Sequence, residues 1–227
     1  NLACSYCYAD PAAPAAGGPA PVRLGAVRSA AGLAAENCRR RGLPFTAVFH
    51  GGGEPSLNPR LLEAALAAVE EAAARAQVPV FKYLATNGVM PESRARWIAS
   101  RFNLVGLSCD GPEEIQRAQR PLPHAQKGGR SSTRYVERTA RTLREHGAAF
   151  HVRVTLTPDT ITRQVEIVDY VCSQLAPQEI HFEPVYTGGR EQNGFVSPEP
   201  ARMDGLADTF VRHFLAAQAR ARAAGTP

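Results

Sequence analysis

Lysine is nearly missing from this chain. Lys82 and Lys127 are the only two, so the net charge of +5, from 26 basic and 21 acidic residues, is carried by arginine. The arginines are spread over many segments rather than clustered, which reads as solvated helix faces, and no RNA- or DNA-binding motif accompanies them. Nucleic acid is therefore not the expected partner. No apolar run approaches the roughly 18 residues that a membrane span needs, and no signal-peptide pattern is visible. Cysteine is scarce: five residues, an odd number without a disulfide-framework spacing. That favours a reducing cytoplasm and thiols used for metal. Only one C-x2-C is present, and no second C-x2-C or paired histidine follows to complete a zinc site. What remains is ordinary for a globular protein: 227 residues, 44% hydrophobic and 21% charged, enough for one sizeable core and one domain.

Short β-branched or apolar runs alternate with helical patterns. Strands are predicted over 45–50, 80–85, 104–108, 150–157 and 179–184. Helices are predicted over 22–41, 58–77, 91–101, 132–146 and 161–175, with a last one over about 197–224. This alternation argues for parallel βαβ units in an α/β fold. Asn58 is placed to cap the second helix, Pro59 suits its first turn, and Leu62, Leu66 and Val69 share its apolar face. Gly147 suits the position just past the 132–146 helix. Residues 11–21 are alanine, proline and glycine only, a loop without periodicity. Cys38, Cys109 and Cys172 fall where small core residues are expected.

Four motifs carry chemistry. Cys4-Ser5-Tyr6-Cys7 sets two thiols three positions apart with an aromatic residue between them, and Tyr8 follows. By itself the pair fits a cluster ligand set, half a zinc site or a redox dithiol. His50-Gly51-Gly52-Gly53-Glu54-Pro55 ends the first predicted strand; its glycines let a backbone approach a ligand, and Glu54 adds a carboxylate suited to an ammonium group. Thr86-Asn87-Gly88 ends the next strand and also reads as a plain turn. Ser108-Cys109-Asp110-Gly111 ends the third, with Arg120 nearby and Arg117 as its competitor; Asp110 reads as a residue that shapes the Asp-Gly turn. Arg153 and Thr155 share one face of the fourth strand, and an inward Arg153 would need a partner. His124, Lys127 and Arg130 read as solvated loop charge.

In this order the motifs resemble the radical S-adenosylmethionine (SAM) enzymes, over about residues 1–190. That family's loop reads C-x3-C-x2-C and holds a 4Fe–4S cluster; Cys4 and Cys7 correspond to its second and third thiolates, and the first would stand just before Asn1. The resemblance implies a partial (β/α)6 TIM-like barrel, here without its first strand. It implies one core domain over 1–227, with a partial cluster loop at 1–10, the Ala/Pro/Gly loop at 11–21, and a C-terminal helix and tail at 197–227. Gly52, Gly53 and Glu54 match the motif that binds the SAM amino group. Thr86 and Asn87 stand at the next strand end, Ser108 matches the ribose contact, Arg120 the carboxylate contact, and Val185 the adenine-binding neighbourhood. The implied activity is electron transfer from an external donor through the cluster to SAM, which releases a 5′-deoxyadenosyl radical that takes a hydrogen atom from substrate. The Cys-Ser-Tyr-Cys-Tyr context and the segments 110–114 and 183–186 look most like the peptide- and protein-modifying branch, including anaerobic sulfatase maturases. That branch usually continues into a cysteine-rich domain, and none follows Leu206. Two other readings stand beside this one: a degenerate, non-catalytic peptide-binding protein, and a structural zinc module.

Overall fold

The structure is a computed structural model that describes residues 1–7, 22–123, 131–185 and 205–226. The 11–21 loop, Tyr8, His124, Lys127, Arg130 and the start of the predicted last helix lie outside the described residues.

Five strands form one parallel sheet in chain order: β1 (Phe45–Phe49), β2 (Val80–Thr86), β3 (Leu104–Ser108), β4 (Phe150–Leu156) and β5 (Glu179–Pro184). The connecting helices are α1 (Leu24–Arg41), α2 (Pro59–Ala76), α3 (Glu92–Arg101), α4 (Glu113–Gln119), α5 (Thr133–Glu145), α6 (Gln164–Tyr170) and α7 (Ala207–Ala223). Sequential order with a helix between every two successive strands is the geometry of an opened βα barrel, as expected.

Local chemistry sets several ends. The Asn58 side chain accepts from the Leu61 N–H at 3.1 Å, and Pro59 takes the first turn of α2. Gly147 has φ 64° just beyond α5, a left-handed turn that a side chain would strain. Two elements differ from the sequence reading. α4 was not anticipated: it is short, and buries Gln116 and Gln119 beside Ile115, so it carries no apolar stripe to read. The 161–175 helix begins only at Gln164, because Thr160 Oγ1 accepts from the Thr157 N–H at 2.9 Å and holds a turn there; its last residues, Val171–Leu175, widen into a π turn.

The two sheet faces differ in kind. Leu84, Val105, Leu107, Val152, Val154 and Leu156 pack in one core beneath the helices, with Leu66, Ile98 and Leu143. α1 and α2 pack through small residues, Ala31 and Ala35 against Val69, Ala72 and Ala73, with Cys38 alongside. Cys172 packs beside Val168, Ala217 and Ala221 where α7 meets α6, and Cys109 is fully buried. All three cysteines thus sit in or against the core. Strand alternation turns Tyr83, Ser108, His151, Arg153, Thr155, His181 and Glu183 to the other, inner face. There Arg153 finds its partner: Nε and Nη2 bind Glu183 at 2.9 and 2.6 Å.

Gly106 lies on that inner face between Tyr83 and His151. A Cβ there would meet the Tyr83 hydroxyl at 2.0 Å, the ring Cζ at 2.8 Å and His151 Nε2 at 3.0 Å. Gly106→Ala should therefore lower stability by about 1–3 kcal/mol. Adding Tyr83→Phe should restore part of the loss, because the nearest atom is then gone. Urea denaturation of the single and double variants checks this; equal stability of Gly106→Ala and the parent would contradict it.

Candidate active site

Residues 1–7 cross the C-terminal ends of the strands and are stitched to them. The Asn1 side chain donates to the Val89 carbonyl at 2.8 Å and accepts from the Asn87 side chain at 2.9 Å. Further along, the Ala3 N–H donates to Pro121 O and the Ser5 N–H to Gln119 O, both at 2.9 Å. The Cys7 N–H returns to Cys4 O at 3.1 Å, a tight turn that presents both thiols, each half-buried, from one loop. Burial pushes the Cys4 thiol up, while the Arg120 guanidinium beside it pulls it back.

Asp110 is the hub beneath this loop. Its carboxylate is fully buried. Oδ2 accepts from the Tyr6 hydroxyl at 2.7 Å, from Gln119 Nε2 at 2.9 Å and from Arg120 Nε at 2.9 Å; Oδ1 accepts from the Thr155 N–H at 2.9 Å. The Asp110 N–H donates to Gln116 Oε1 at 2.9 Å. One carboxylate thus ties the cysteine loop, β3, α4 and β4 together, which goes well beyond shaping the Asp-Gly turn. Arg120 is 7% exposed, pairs with Asp110 and stacks over the Tyr6 ring at 5.3 Å. Burial opposes its charge, but the Asp110 carboxylate overrides that and holds the guanidinium above its ordinary value. Burial, together with Asp110, likewise lifts the Tyr6 phenol well above the usual range, although Arg120 pulls the other way. Arg117 is exposed on α4 and takes no part.

Glu54, beyond the end of β1, performs the same service two strands over, for β2. Its Oε1 accepts from the Thr86 hydroxyl at 2.7 Å and the Ser56 N–H at 3.0 Å, and its Oε2 from the Asn87 N–H at 2.7 Å. Three predicted site residues, Glu54, Thr86 and Asn87, are thereby joined directly, and Asn87 links them to Asn1 in the cysteine loop. Gly51, Gly52 and Gly53 are exposed at the mouth, and a Cβ at Gly51 or Gly53 would meet nothing within 4 Å. Ser108 ends β3 on the inner face, opposite Arg153 in register. Val185 follows β5, its N–H donating to Leu156 O at 2.8 Å. The residues that the sequence left unassigned are Asp110, Gln119 and the Thr155 backbone. Only the Asp110–Arg120 charge pairing left a signal, an acid at a strand end ten residues before an arginine.

A parallel α/β sheet with a two-thiol loop pinned over its C-terminal strand ends is the arrangement of an opened βα barrel. The chain belongs to the radical SAM superfamily, whose family model matches residues 1–171. Among solved structures, anSMEcpe with bound AdoMet, an anaerobic sulfatase-maturating enzyme, superposes with a TM-score of 0.74 at 21% identity over 100% of this chain and 59% of that one. anSMEcpe with bound AdoMet and the Kp18Cys peptide gives 0.68 at 23% over 95% and 58%. Streptococcus suis SuiB bound to its precursor peptide SuiA gives 0.62 at 14% over 96% and 44%. At these identities the likeness is one of fold, and the chain spans about three-fifths or less of each of these proteins. No helix among the described residues is long and apolar enough to cross a membrane.

Proposed function

We propose that this chain is the core of a radical SAM enzyme that modifies a peptide or protein substrate, and that residues 1–227 act as one core domain. The observation that carries the reading is the stitching of the Cys4–Cys7 loop onto the strand ends that bear Glu54, Asn87 and Asp110.

The residues fit a cluster and SAM. Soft thiolates suit iron–sulfur ligation, and Cys4 and Cys7 share one turn beside a buried guanidinium that offsets anionic charge. The glycine mouth offers open backbone next to Glu54. When bound there, a 4Fe–4S cluster with SAM supplies one-electron cleavage of the sulfonium and a 5′-deoxyadenosyl radical for hydrogen abstraction. The protein's own share is positioning and exclusion of water. Glu54 spends three of its roughly four acceptor positions on β2 and its own turn, leaving one on Oε2 for the SAM ammonium. Arg120 gives its Nε to Asp110 and one Nη2 N–H to Thr155, so among the described residues Nη1 and the second Nη2 N–H are left for the SAM carboxylate. Ser108 would meet the ribose, and the Val185 carbonyl is the backbone group left for adenine. Thr86 and Asn87 hold Glu54 in place. An external one-electron donor and a reducing cytoplasm complete the scheme; among the described residues no disulfide joins the cysteines.

The peptide substrate is supported by the neighbours crystallised with peptides. The test uses the protein containing this chain, reconstituted anaerobically with iron and sulfide, reduced with dithionite and given SAM. Iron, acid-labile sulfide and 5′-deoxyadenosine are then measured with and without added peptides. Deoxyadenosine that rises with a peptide, and a mass change in that peptide, are expected. Zinc without sulfide would favour the structural module, and a cluster whose turnover answers only to small molecules would overturn the peptide assignment.

A further inference from the structure

His151, Glu179 and His181 lie thirty residues apart at most in sequence, yet β4–β5 pairing makes them neighbours on the inner face, with His151 opposite Glu179 in register. One nitrogen of each imidazole and one carboxylate oxygen all stand within 4.8 Å of one another. His181 Nε2 and Glu179 Oε2 are already 3.0 Å apart, and the two imidazoles stack with centroids at 4.1 Å. This group sits at the N-terminal end of the strands. Along β4 it is four residues, roughly 13 Å, from Thr155 and the Asp110 hub, so it is separate from the cysteine loop.

His151 is arranged as a ligand would be. It is 5% exposed. Its Nε2 lies 3.2 Å from the Tyr83 hydroxyl, a contact that the absence of a side chain at Gly106 makes room for. Its Nδ1 is buried and has no hydrogen-bond partner among the described residues. A buried ring nitrogen without a partner costs stability. An imidazole with one nitrogen fixed by a hydrogen bond and the other unoccupied is the arrangement found in metal-ligating histidines.

We propose that His151, His181 and Glu179 form a divalent transition-metal site, with zinc the natural occupant. Two imidazole nitrogens and a carboxylate are a zinc donor set, with a fourth position left for water. Bonds of about 2.0–2.2 Å place neighbouring ligands of a tetrahedral ion roughly 3.3–3.5 Å apart. Parallel rings do not aim their nitrogen lone pairs at one ion, so binding requires His181, exposed at the sheet edge, to turn out of its stack on the buried His151, with the exposed Glu179 carboxylate closing the set. The ion would clamp the starts of β4 and β5 and stabilise the folded state in proportion to its occupancy.

The test uses untagged, cluster-loaded protein equilibrated with zinc and dialysed. Zinc and iron are counted by elemental analysis, and the thermal midpoint is read with and without zinc. One zinc per chain, retained alongside the iron, with a raised midpoint, is expected. His181→Ala and Glu179→Ala should each weaken zinc binding at least about tenfold and remove the zinc-dependent rise in midpoint. These two exposed positions carry the test, because His151→Ala also empties a buried site. No retained zinc, or zinc retained equally by both variants, overturns the proposal. Zinc that replaces iron at the cysteine loop would survive His181→Ala and so counts against this site, while also counting against the cluster reading.

Discussion

Cys4→Ala and Cys7→Ala should each strip iron and acid-labile sulfide from the reconstituted protein and reduce 5′-deoxyadenosine formation to background. Each variant removes one thiolate from a small ligand set in which soft, anionic sulfur holds the iron. The fold should survive. Both thiols are half-buried, and the Asn1, Ala3, Ser5 and Tyr6 hydrogen bonds hold the loop in place. Urea denaturation of the metal-free variants should therefore match the metal-free parent, which separates loss of cluster from loss of structure. Unchanged iron, sulfide and product in either variant would move the cluster away from this loop and bring the degenerate peptide-binding reading to the front.

Asp110→Ala should destabilise the protein by about 3–5 kcal/mol, the cost of leaving a buried charge without its partner. The guanidinium of Arg120 would remain enclosed with its nearest anion gone, and the Tyr6 hydroxyl, Gln119 amide and Thr155 N–H would each lose an acceptor. Cluster retention should fall with stability, because Tyr6 anchors the cysteine turn through this carboxylate. Two companion variants sharpen the test. Tyr6→Phe removes one hydrogen bond and should cost about 0.5–1.5 kcal/mol. The double variant Asp110→Ala/Arg120→Met should be less destabilised than Asp110→Ala alone, since the stranded charge is removed with its partner. A double variant less stable than the single one would show that the Asp110–Arg120 pair is not the main term.

Six of the eight SAM-site residues named from sequence, Gly52, Gly53, Glu54, Thr86, Asn87 and Ser108, belong to glycine or strand-end motifs that are local by nature. Their placement at the C-terminal ends of β1, β2 and β3 is legible because turn chemistry is written in neighbouring residues. The helix caps at Asn58 and Gly147 were legible for the same reason. α4 was not, since its buried face is made of Gln116 and Gln119, whose burial depends on partners far along the chain. Arg120 reads from sequence as a ligand for a carboxylate outside the chain, and the structure adds a second partner that its neighbours do not reveal, the Asp110 carboxylate on its Nε. Asp110 was read as a turn residue because a turn is all that its neighbours require.

By itself, then, the sequence determined the strand–helix alternation, the radical SAM motifs and their order, because each rests on periodicity or on residues within a few positions of one another. Tertiary structure alone decided which polar groups meet. Tyr6 reaches Asp110 across 104 residues, Glu54 reaches Asn87 across 33, and parallel pairing of β4 with β5 stacks His151 on His181. Those meetings follow from sheet register, and register is set by packing the apolar face of every strand at once, a condition no local segment contains.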